Sequence, residues 1–153
     1  MLVENDILIP ELARLLSEEK EVRFTPSGVS MRPFIEGGKD SVVLAPLTRA
    51  PRRGDILLAC VMMPNGQKTY VLHRLVRTEE SKIKDQESGI TYILQGDGNL
   101  FGEERCDRED IIGRVVAIER PDGRRKPLTR GFLWHLLLPV RKWLLKVYRH
   151  VCL

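Results

Sequence analysis

The sequence lacks the marks of several protein classes. Its three cysteines, Cys60, Cys106 and Cys152, are far apart, odd in number and form no CxxC pair. That spacing argues against a disulfide framework and against a zinc site built on cysteine pairs. The N-terminus shows no basic region, long apolar stretch or small-residue cleavage site, so no export signal is expected. No internal repeat or low-complexity tract is visible.

What the chain does contain fits one folded domain. At 153 residues, with 42% hydrophobic and 30% charged side chains, it can bury a sizeable core and is not compositionally disordered. Unpaired thiols point to a reducing, cytoplasmic setting. The charge is uneven. From Arg114 to Leu153 ten Lys or Arg stand against two acids, a net +8, whereas Met1 to Gly113 sums to −4. A basic tail on an acidic body suggests an anionic partner for the tail.

The patterning reads as mainly β. Asn5 or Asp6 can cap an N-terminal helix in which Ile7, Leu8, Leu12, Leu15 and Leu16 recur at helical spacing, with Pro10 in its first turn. Strands are expected at 22–24, 41–45, 55–63, 68–76, 90–95 and 111–119, with a hairpin turn at Pro64-Asn65-Gly66 and another turn at Pro121-Asp122-Gly123. The arginines of 46–54 read as a solvated surface loop, with contact to an anionic substrate or headgroup as the alternative; the polar stretch 78–89 reads as an exposed loop and 101–110 as a second loop holding Cys106. Short strands separated by turns predict a compact, antiparallel, barrel-like fold. The organisation expected is a helical segment 1–21, a β domain 22–120 and a basic amphipathic tail 121–153.

Within that tail, Leu133, Leu136, Leu137, Val140, Leu144, Val147 and Val151 share one helical face, Lys142, Lys146 and Arg149 the other, and Trp134, Trp143 and Tyr148 flank them. Arg141, Lys142, Lys146 and Pro139 interrupt the run, so it is too short and too charged to span a bilayer. Two readings follow: a helix lying in the interface of an anionic membrane, or one packed on the body or on a second subunit. His135 and His150 read as surface groups of this tail. The breadth of the apolar face argues against nucleic acid as its partner.

The chemistry centres on TPSGVSMRPFIEGGKD, residues 25–40. Gly28 admits unusual φ angles and Pro26 and Pro33 stiffen the chain, a setting that presents the Ser30 hydroxyl. A serine nucleophile needs a base, and that base needs a carboxylate to fix its tautomer. The HRLV box supplies His73, and the GDGN box supplies Asp97, each at the edge of an expected strand. Lys68, Lys82 and Lys84 are rival bases, since a desolvated lysine can also activate a serine.

The pattern SGxSMxP, then GDIL at 54–57, then HRLV, then GDGN resembles the signal peptidase I and LexA-like serine peptidase superfamily, over roughly residues 24–118. A histidine in the HRLV box resembles the archaeal and endoplasmic-reticulum type; the usual bacterial type carries lysine there. The resemblance implies Ser30 as nucleophile, His73 as general base, Asp97 as orienting acid and Asp55 as a structural residue. It implies a peptide or precursor protein as substrate, and no metal or cofactor. The family often has a second serine two residues before the nucleophile; here Gly28 holds that position and Ser27 lies one further back, so the Ser30 main-chain N–H is the expected oxyanion donor. The function expected is a serine endopeptidase, cytoplasmic and peripheral on the membrane. The alternatives are a LexA-like self-cleaving module and a silent scaffold at the membrane surface.

Overall fold

The computed structural model describes residues 5–81, 89–128 and 140–152. The positions Lys82, Lys84, Leu133, Trp134, His135, Leu136, Leu137 and Pro139 lie outside the described residues. Eight strands form one antiparallel sheet: β1 (Val22–Phe24), β2 (Ser41–Ala45), β3 (Ile56–Met62), β4 (Lys68–Ser81), β5 (Gly89–Gln95), β6 (Glu104–Cys106), β7 (Ile111–Glu119) and β8 (Arg125–Pro127). They are ordered β1-β2-β7-β3-β4-β5-β6, with β8 on β7. Helix α1 (Asn5–Ser17) precedes the sheet and helix α2 (Arg141–Cys152) follows it.

The fold is mainly β and antiparallel, as the patterning predicts. The sheet is open, because β1 and β6 end its path without pairing to each other. It curls enough for β6 to pack on β3. Strand alternation sends side chains to two cores. One face gathers Ile56, Leu58, Val42, Leu44 and Val115 with Met31, Ile35 and the α1 residues Ile9, Leu12 and Leu16. The other gathers Leu57, Ala59, Val61, Leu75, Tyr92, Leu94, Cys106 and Ile111.

Several boundaries differ from the sequence reading. β4 is 14 residues long and runs on through Ser81, because Arg77, Thr78, Glu79 and Glu80 continue the ladder with β5 after a bulge. Their polarity reflects an exposed ribbon laced by Arg77–Glu103 and Arg105–Glu79 ion pairs. β6 and β8 are short, exposed strands with too few apolar residues to announce themselves. β8 joins the start of the basic tail to the sheet. Pro10 sits inside α1 rather than in its first turn, where it forgoes one helical hydrogen bond.

Helix α1 approaches the sheet closely at Gly113, where an added Cβ would lie 2.9 Å from Leu16 Cδ1 and 3.2 Å from the Ala45 carbonyl oxygen. Leu12, 4% exposed, anchors the same contact. Leu12→Ala is expected to lower stability by about 2–5 kcal/mol, read by urea unfolding. A loss below about 1 kcal/mol would show that α1 is not part of the core.

Candidate active site

The serine loop is built by backbone contacts that only glycine allows. Gly28 has φ +90°, in the left-handed region that disfavours side chains. The Gly38 N–H donates to the Pro26 carbonyl at 2.8 Å. Gly37 lies so close that an added Cβ would sit 1.9 Å from the Gly28 carbonyl oxygen. On the other side, the Gly98 N–H donates to the Ser30 carbonyl at 2.7 Å. An added Cβ at Gly96 would sit 2.5 Å from that same Ser30 oxygen. The GDGN turn is thus the surface against which the serine backbone is set.

Ser30 and His73 line one cavity of about 130 Å³, together with Pro26, Ser27, Met31 and Tyr70. Ser30 is half-buried, and no hydrogen bond joins its hydroxyl to the imidazole. Catalytic hydrogen bonds are often long before substrate binds. The Ser30 N–H donates to no backbone carbonyl among the described residues, so it is available as an oxyanion donor. Lys68 is exposed and lies outside this cavity.

His73 is buried, at 5% exposure. Its Nδ1 lies 2.9 Å from Glu104 Oε2, not beside Asp97 as the resemblance implied. The register explains the contact. Leu75 pairs with Leu94 and Leu94 with Glu104, and cross-strand partners point to the same side. His73 precedes Leu75 by two residues and shares that side. Glu104 fixes Nδ1 as the nitrogen that carries hydrogen, which leaves Nε2 for a hydroxyl.

Asp97 faces the other way. Arg74 pairs with Gln95 across the strands, and Asp97 follows Gln95 by two. Both oxygens of Asp97 are engaged by Arg74: Nε donates to Oδ1 at 2.8 Å and Nη2 to Oδ2 at 2.7 Å. Arg74 Nη1 also donates to the Gly54 carbonyl at 2.8 Å, and its guanidinium lies 5.3 Å from the Phe34 ring centroid. The pair is 3% and 1% exposed. Asp97 therefore stands as the counter-ion of a buried arginine that ties three of the sequence boxes together.

Asp55 is held in a like manner: Arg49 donates to both of its oxygens, at 2.8 and 2.9 Å, and the Arg52 N–H donates to Oδ2 at 2.8 Å. This fastens the arginine loop, of which Arg49 is half-buried rather than solvated. Asp40, also buried, accepts from Arg120 and from the Glu36 N–H at 2.7 Å. Burial first, and then the carboxylates of Asp110, Asp107 and Glu104, push the Cys106 thiol up to about 12, so it stays protonated and unreactive.

Sequence reasoning missed Glu104. It lies in a stretch read as an exposed loop, and only the strand register places it beside the imidazole. Among the described residues no group of three or more His, Cys, Asp or Glu could hold a metal ion.

The two acids separate by experiment. Asp97→Ala leaves a buried guanidinium unpaired and is expected to lower stability by about 3–5 kcal/mol, read by chemical denaturation. Glu104→Gln, at a side chain 20% exposed and replaced by an isosteric amide, is expected to leave stability within about 1 kcal/mol of wild type. The reverse order would return the orienting role to Asp97. Compared with known proteins, the chain matches no family model, no curated protein and no solved structure.

Proposed function

We propose that the protein is a serine endopeptidase of the signal-peptidase-like type, with Ser30 as nucleophile, His73 as general base and Glu104 as the carboxylate that orients it. The observation that carries this reading is the shared cavity of Ser30 and His73, with the imidazole fixed at Nδ1 by Glu104. His73 Nε2 takes the Ser30 proton as Oγ attacks the scissile carbonyl. The oxyanion is stabilised by the Ser30 N–H, with the Ser27 hydroxyl at the same cavity as a second donor. The imidazolium then gives its proton to the leaving amine. A water, activated by the same imidazole, hydrolyses the acyl-enzyme.

The substrate fits as an extended segment of a precursor. β4 bonds to β3 over Lys68–Arg74, but to β5 only from Arg74 onward. Its other edge over 68–73 borders the cavity unpaired by β5, a template for adding a strand. Free Cys60 and Cys106 support a reducing, cytoplasmic setting for this reaction.

A fluorophosphonate probe tests the nucleophile without a known substrate. Wild type is expected to label at Ser30, Ser30→Ala not at all, and His73→Ala at a rate at least about 100-fold lower. Glu104→Gln should slow labelling by about 10²- to 10⁴-fold. Labelling that survives Ser30→Ala would overturn the assignment. Intact mass tests self-cleavage: a wild type shortened on storage beside a full-length Ser30→Ala indicates it, and two full-length proteins exclude it.

A further inference from the structure

Helix α2 has an apolar arc wider than the part of it that the body covers. Leu145, 2% exposed, and Tyr148 look inward and line a cleft with Val29, Arg32 and Gly98. Arg149 Nη2 donates to the Gly98 carbonyl at 2.8 Å. The inner face thus grips the two loops that carry Ser30 and the GDGN turn. Turning the helix at about 100° per residue puts Lys142, Lys146, Arg149 and His150 next around it. Beyond them the apolar arc resumes in an outer stripe, Val140, Trp143, Val147 and Val151, which are 45%, 65%, 41% and 78% exposed, and half-buried Leu144 joins this stripe to the inner face. A helix whose only role is to pack on its own domain buries its apolar arc, whereas α2 leaves the outer part of its arc exposed.

The charge around the outer stripe identifies what covers it. Residues 141–152 hold four Lys or Arg and no acid. A second copy of the chain meeting this stripe across a two-fold axis would bring like charges together. An anionic lipid surface accepts both features: the apolar stripe enters the headgroup–acyl boundary while the lysines reach phosphate. Trp143 sits in the stripe, where an amphipathic ring suits that depth. Phe101, 73% exposed, adds apolar surface beside it, with Lys142 Nζ 4.7 Å from its ring centroid. Among the described residues no helix is long and apolar enough to cross a membrane.

We propose that the outer stripe of α2 docks the protein on anionic phospholipid, and that its inner face holds the Ser30 loop at that surface. The partner is the lipid bilayer itself, recognised by acidic headgroups together with acyl chains. The docking is independent of the peptidase reading, whereas the placement of the reaction at the membrane rests on it.

Vesicle flotation of the full chain tests the docking. Wild type is expected to float with phosphatidylcholine vesicles containing about one-third phosphatidylglycerol and to stay behind with phosphatidylcholine alone. Trp143→Glu combined with Val147→Glu should weaken partitioning at least about tenfold. Lys142→Glu combined with Lys146→Glu should do the same at low salt. Ser30→Ala should float like wild type, so failure of the chemistry leaves this readout untouched. Both double variants should keep the wild-type circular dichroism spectrum and unfolding midpoint, since the altered side chains face outward. Equal flotation of all variants overturns the proposal. So does a wild type that ignores anionic vesicles, or a stable dimer by light scattering that Trp143→Glu/Val147→Glu converts to monomer.

Discussion

The Arg74–Asp97 pair is the constraint from which the site is built. A guanidinium this deeply buried needs partners for its donors. It finds two carboxylate oxygens on Asp97, one carbonyl on Gly54 and the face of Phe34. Those partners come from the GDGN turn, the GDIL strand entry and the serine loop. One cation therefore fixes the relative positions of segments far apart in the chain. His73, the neighbour of Arg74 in β4, is placed by the same event.

Glycine completes what the ion pair begins. Gly96 and Gly98 let the turn approach the Ser30 backbone so closely that a methyl group would collide with main-chain oxygens. Main-chain atoms cannot rotate away as side chains can. The contact sets the position of Ser30 through its own carbonyl rather than through its hydroxyl. The serine loop is also closed from the other side by Gly37 and Gly38. In the reaction proposed for Ser30 such rigidity would help, because a reacting oxygen displaced by an ångström loses much of its advantage.

Much of this was legible in the residues. Short apolar runs with turns between them gave β1, β2, β3, β5 and β7 nearly to the residue, since each buries a side in one of the two cores. The short strands β6 and β8 were not legible, because β6 has only Cys106 buried and β8 has no buried residue. Ser30 and His73 were legible as a pair through their boxes, and they do share a cavity. The carboxylate beside His73 was not. Asp97 carries the stronger local signal, a carboxylate in a glycine turn, yet two-residue alternation sends it to Arg74. Glu104 carries no local signal at all. Only the three-strand register Leu75–Leu94–Glu104 brings it to His73, and register is a property of pairing, not of any one segment.

The long strand β4 has two halves with different neighbours. Its inner half, paired to β3, bears the imidazole and a backbone edge that β5 leaves unpaired; its outer half is locked into the ribbon with β5. A peptide hydrogen-bonded to that edge would inherit the pleat of the strand. Its odd-numbered side chains would then meet the cavity while the even-numbered ones met solvent. A frame of that sort inspects every second residue and ignores those between, and a one-residue slip exchanges the two sets outright. Selectivity would thus reside in spacing as much as in the chemistry of any single pocket.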